Sequence, residues 1–155
     1  MRVYVPASAG LLGELKAEGR LPGPLAACGV TPDLRAALVD LDEEELEYAA
    51  FMEAARRSVD LLGDGPLRRV VVSADIAEAA PGEGFAGLVL ADGLALGEVA
   101  AVHADEMAAE PGVAAARADG SLDVLDDHDL LWFATQEIAE LVAELSTGAP
   151  FSPGG

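Results

Sequence analysis

Apolar and polar positions along the chain follow two periods, and the changes of period mark its elements. "RVYVP", residues 2–6, is a β-branched and aromatic run closed by proline, and it predicts the first strand. Ser8 then offers a cap for a helix over residues 9–18, with Leu11, Leu12 and Leu15 on one face and Gly19 as its stop. "LAACGV", residues 25–30, predicts a small buried strand. In "TPDLRAAL", Thr31 is a cap, Pro32 stands at the first helical position, and Asp33 favours the positive end of the helix dipole. The longest periodic stretch follows, "DLDEEELEYAAFMEAARRSVDLLG". Asp42 or Asp40 caps it, and Tyr48, Phe51, Ala55, Val59 and Leu62 recur at helical spacing up to Gly63. The pattern leaves open whether residues 32–41 join this helix or form a short one.

In the second half, "RRVVVSADI", residues 68–76, is uniformly apolar at its centre, as in a strand buried on both faces. "LVLAD" predicts a further short strand. "VAAVHAD", residues 99–105, predicts another, although its pattern also suits a helix. "EPGVAAARA" predicts a small helix. "HDLLWFATQEIAELVAEL" predicts the last one, capped by Asp126 or Asp127, with Leu130, Phe133, Ile138, Leu141, Val142 and Leu145 as its stripe. Trp132 falls near the border of that stripe. Strands alternating with helices predict one α/β (or α+β) domain over residues 1–148, with helices packed on a mixed, mostly parallel sheet. Residues 149–155 read as a flexible C-terminal tail.

Composition changes this picture in two respects. The chain of 155 residues is 52% apolar, enough to bury a core without disulfides or metals, and much of that apolar content is alanine. Twenty-eight acidic residues against nine basic ones give a formal charge of -19. Such a surface opposes direct binding to nucleic acid phosphates or anionic lipid, and it suits a basic protein or a divalent cation. No apolar run approaches the length of a membrane span. "LAAC", residues 25–28, has the form of a lipoprotein cleavage box, but the charged, proline-broken stretch before it does not suit a signal, so export is not expected. The single cysteine, Cys28, excludes an internal disulfide and a cysteine-built zinc site.

Candidate chemistry is sparse. The two histidines lie in "HADE", residues 103–106, and "DDHD", residues 126–129. If these clusters meet, His103, Asp105, Asp126 and His128 combine imidazole with carboxylate, a donor set for a divalent metal. Neither cluster has the spacing of H-E-x-x-H or of an EF-hand loop. "GEGFAG", residues 82–87, matches G-x-G-x-x-G literally, but Pro81 precedes it, a strand-like run follows it, and Glu83 would face a pyrophosphate with like charge. Ser73 and Asp75, at the end of the third strand, occupy a position where open α/β sheets bind ligands. Glu43, Glu44 and Glu47 form an acidic helix start, a face for a basic partner, and Trp132 is a candidate anchor at an interface.

The strings "MRVYVPAS", "VTPDLRAAL", "DEEELEYAAFMEAA", "RRVVVSAD", "EVAAVHADE" and "DHDLLWFATQEI" occur in one order, and with them the chain resembles a family of short actinobacterial proteins of unknown function. The resemblance spans Met1 to about Leu145. It implies a cytoplasmic protein and transfers no activity, cofactor or residue role. The leading expectation is a non-enzymatic acidic cytoplasmic protein that binds another protein, basic in charge or a second copy of itself. One variant occupies a basic groove as a mimic of nucleic acid charge. The alternative is a divalent-metal-binding module or metal-dependent hydrolase using His103, His128 and nearby carboxylates.

Overall fold

The computed structural model describes residues 1–120, 125 and 129–147. In chain order these form β1 (Arg2–Ala7), α1 (Ala9–Glu18), β2 (Arg20–Leu21), β3 (Leu25–Cys28), α2 (Pro32–Ala37), α3 (Glu43–Val59) and β4 (Val70–Asp75). There follow β5 (Ala80–Pro81), β6 (Gly87–Leu90), β7 (Leu94–Ala95), β8 (Val99–Ala104), α4 (Glu110–Asp119), β9 (Leu131–Phe133) and α5 (Ile138–Thr147). Seven strands make one sheet in the order β5-β6-β3-β1-β4-β8-β9, while β2 and β7 pair as a separate ribbon. No helix among the described residues is long and apolar enough to cross a membrane.

The helix starts follow their local chemistry. Ser8 accepts a hydrogen bond from the Leu11 backbone N–H, and Thr31 accepts one from that of Leu34. Asp42 and Glu45 form a reciprocal capping box at the start of α3. Gly19 closes α1 at φ +77°, a backbone conformation that costs glycine little. The segment before α3 is a helix of its own, α2.

The single-domain expectation fits an α+β domain, but the mostly parallel sheet is overturned. Every neighbouring pair in the main sheet is antiparallel. The path β3–α2–α3–β4 does join two strands that run the same way, as alternating elements suggest. The N-terminal strand β1 lies between them and pairs antiparallel with both. Alternation along the chain carries no record of that insertion. The expected last helix is also shortened at its start. Leu131–Phe133 pairs with β8 as a strand, and α5 begins only at Ile138. "GEGFAG" closes the β5–β6 hairpin: the Gly82 N–H donates to the Gly87 carbonyl, and a Cβ at Gly87 would sit 1.8 Å from the Glu83 carbonyl oxygen. A strand follows the loop, not a helix, so it lacks the context of a dinucleotide site.

The two faces of the sheet bury different sets. On one face Val3, Val5, Val70, Val72, Val102 and Phe133 pack against Leu12 and Leu15 of α1 and Ile138, Leu141 and Leu145 of α5. Each such side chain contributes roughly 1.5–3 kcal/mol on burial. On the other face Tyr4, Cys28 and Val71 meet Leu34 of α2 and Leu46, Ala50, Ala54 and Ala55 of α3. Alanines let α3 lie close on β1, β3 and β4. Ser58 fastens it: the hydroxyl, fully buried, donates to the Ala7 carbonyl at 2.7 Å and accepts from the Val70 N–H at 3.0 Å.

Candidate functional site

Because α3 lies over β1, β3 and β4, the same face of β8 and β9 borders a cleft of about 450 Å³. That size lies within the range of small-ligand and side-chain pockets. Strand alternation places its floor. Arg2 and Tyr4 of β1, Ser73 of β4, Ala101 and His103 of β8 and Trp132 of β9 line it from the sheet. From α3 come Glu44, Glu47, Tyr48, Phe51 and Met52, which one helical face presents together, and Asp129 and Leu130 close the end before β9.

The cleft is aromatic and acidic at once. Phe51 sits edge-on to Tyr4, with centroids 5.7 Å apart, and lies 4.8 Å from the His103 ring. Tyr48 is stacked near Phe51 at 23° between planes. Tyr48 is 56% exposed and Trp132 63%, so two large rings from two separate elements stand in solvent around one cavity. Exposed aromatic surface of that kind marks an interaction site more often than a fold requirement. Three carboxylates, Glu44, Glu47 and Asp129, line it as well. The one cation among its described lining residues, Arg2, is held by Asp75 across the β1–β4 pair through Nε at 2.8 Å and a terminal nitrogen at 3.1 Å. That pairing raises the Arg2 pKa and lowers that of Asp75.

Burial, with a smaller effect of the Arg2 charge, brings the His103 pKa down to about 4, so the ring is neutral at pH 7. Its Nε2 lies 2.8 Å from the Ser73 hydroxyl. Among the described residues no carboxylate orients the other ring nitrogen, so hydroxyl and imidazole lack the third member of a hydrolytic triad. Tyr4 keeps its proton: burial and the nearby Glu47 charge both push its pKa up.

The residues expected to carry function fall in different places. Glu44, Glu47 and Trp132, read as a partner face, and His103, read as a metal ligand, line this one cleft. Glu43 lies outside it and is ion-paired with Arg35 at 2.8 Å. Asp105 is fully buried behind the sheet's end, where one oxygen accepts from the Arg69 backbone N–H and Nε and the other from a terminal nitrogen, at 2.8–2.9 Å. Arg68 adds a hydrogen bond to the Asp105 carbonyl and a buried pair with Glu144 of α5. Asp126 and His128 lie outside the described residues. Among the described residues no three His, Cys, Asp or Glu side chains gather as a metal site. Cys28 is buried, and its thiol pKa is pushed up to about 11, as for a core residue.

Sequence reasoning missed Arg2 and Tyr4, although the period-two alternation of β1 against Val3 and Val5 separates them. It set Tyr48 on one helical stripe with Phe51, Ala55 and Val59. The buried residues of α3 are Leu46, Ala50, Ala54, Ala55, Ser58 and Val59, a stripe turned so that Tyr48 faces out.

The model of a family of unknown function, DUF6912, matches residues 1–142. The chain belongs to this family. Every residue that lines the cleft falls inside the DUF6912 match. No curated protein and no solved structure matches the chain. The DUF6912 family brings no activity with it, so any functional reading rests on the site itself.

Proposed function

We propose that this DUF6912 domain is a non-enzymatic binding module that docks a basic protein through the aromatic cleft. One observation carries the reading: Glu44, Glu47 and Asp129 surround a cavity walled by Tyr4, Tyr48, Phe51 and Trp132, and the one cation among the described lining residues, Arg2, is already paired. Carboxylates steer a positive partner and fix its register, while aromatic rings supply contact area at small entropic cost. A second copy would bring the same acidic cleft and the same charge of -19, so a basic partner fits better than self-association.

The test is a pull-down with the tagged chain at low and moderate salt, wild type beside the Glu44→Gln/Glu47→Gln double variant. A basic protein that the wild type captures, that salt releases and that the variant fails to hold supports the reading. Capture that ignores both salt and the substitutions removes it. Glu44 is exposed and Glu47 half-buried on α3, and neither belongs to the core, so the variant should keep its melting temperature within a few degrees.

A further inference from the structure

Docking a basic protein leaves open which cationic side chain enters the cleft, and the make-up of the walls narrows the choice. Lysine ends in a compact, strongly hydrated ammonium that sheds its water reluctantly against rings. The arginine guanidinium is planar and more weakly hydrated. It stacks on aromatic faces and offers a fork of donors that carboxylates accept two at a time. The cleft has both counterparts. Tyr48 and Trp132 present exposed rings from α3 and β9, while Glu44 and Glu47, one helical turn apart, and Asp129 supply acceptors. On the floor the His103–Ser73 pair is neutral at pH 7, and the one cation among the described lining residues, Arg2, is ion-paired with Asp75.

We infer that the cleft is an arginine-binding site, in which a partner's guanidinium lies against the Tyr48 and Trp132 rings with its donors toward Glu44, Glu47 and Asp129. This rests on the docking role proposed above and adds the identity of the docked side chain.

Trp132 is the only tryptophan, so its fluorescence reports on the cleft directly. The full chain is titrated at constant ionic strength with acetyl-Gly-Arg-Gly-amide and with the lysine and citrulline counterparts. Citrulline keeps the shape of arginine and removes its charge. The Trp132 indole N–H resonance provides the same titration if the emission does not change. The expected result is saturable binding of the arginine peptide, about tenfold or more tighter than the lysine peptide, the difference that stacking and bidentate contacts supply. The citrulline peptide should not bind. Tyr48→Ala should weaken the arginine peptide several-fold at an unchanged melting temperature, since that ring is exposed.

Equal affinity for the arginine and lysine peptides, equal affinity for the citrulline peptide, or no saturable response to the arginine peptide by either readout overturns the inference. The two proposals fail separately. Salt-sensitive capture that is lost in the double glutamate variant but survives Tyr48→Ala leaves the basic-partner role standing and removes the arginine site.

Discussion

His103 shows how one residue ties the fold to the cleft. The ring is packed against Phe51 and bonded to Ser73, and burial disfavours its charged form. The folded pKa of about 4 lies below the ordinary 6.5, so the folded chain binds fewer protons than the unfolded chain between those values. Stability from this group is therefore present above about pH 6.5 and is lost as pH falls from 6.5 toward 4. One pKa unit corresponds to about 1.4 kcal/mol. Because solvent reaches one side of the ring, the loss is expected to be on the order of 2 kcal/mol rather than the full conversion. Acidification also acts on the rest of the chain, so the comparison must be with His103→Gln, which retains a hydrogen-bonding group and does not ionise. Urea unfolding of both chains at several pH values from 7.5 to 4.5 measures it. The wild type should lose more stability than the variant on acidification, and parallel curves would show that His103 does not carry the linkage. Asp105 is the contrasting case. It also read as a possible ligand in the sequence, yet both its oxygens are occupied by Arg69, and it joins the end of β8 to the start of β4.

At the scale of elements, what was legible in the sequence was local. Ser8, Thr31 and Asp42 each announce a helix within three residues of the hydrogen bond they accept, and those caps are present. Residues 99–105 also suit a helix and are fixed as β8 by pairing with β4, whereas the β-branched runs at residues 2–6 and 68–76 carry enough signal to be read alone. β9 does not. Three residues hold little more than one period of alternation, and Leu130, Phe133 and Ile138 continue a helical spacing across it. Its identity as a strand comes from pairing with β8, a partner some thirty residues away, and so does the placement of Trp132 opposite His103. The antiparallel sheet was hidden for the same reason. The cleft was legible only in pieces: Glu44, Glu47, Trp132, His103 and Ser73 each drew notice, but they were divided among three imagined sites until α3 and the β8–β9 edge came together. Since α3 supplies five of the thirteen lining residues, its start matters to the site. Asp42→Ala removes the acceptor for the Glu45 N–H and half of the capping box. The expected cost is about 1 kcal/mol, or a melting temperature lower by roughly 2–4 °C for a domain of this size. A thermal scan with an unchanged midpoint would mean that the first turn of α3 is held by packing rather than by its cap.

The whole molecule adds a constraint that no single residue shows. With 28 acidic and nine basic side chains, the folded chain repels itself, and compaction makes that repulsion worse. The exposed ion pairs, such as Arg2–Asp75 and Arg35–Glu43, offset little of it, since pairs in solvent contribute about 0–1 kcal/mol. The pairs Arg68–Glu144 and Arg69–Asp105 are buried, where salt screens them weakly. Added salt therefore relieves more repulsion than it removes attraction. The melting temperature should rise by a few degrees as monovalent salt goes from about 0.01 M to about 0.5 M, while the screening length falls from about 30 Å to a few ångströms. The proposed complex should respond with the opposite sign, because its partner is drawn by the same unbalanced charge that destabilises the free chain. Thermal denaturation and partner binding measured over one salt series test both halves together. A fold that salt weakens would mean that the surface pairs outweigh the net charge. A complex that salt strengthens would mean that aromatic contact, and not the carboxylates, supplies the attraction at the cleft.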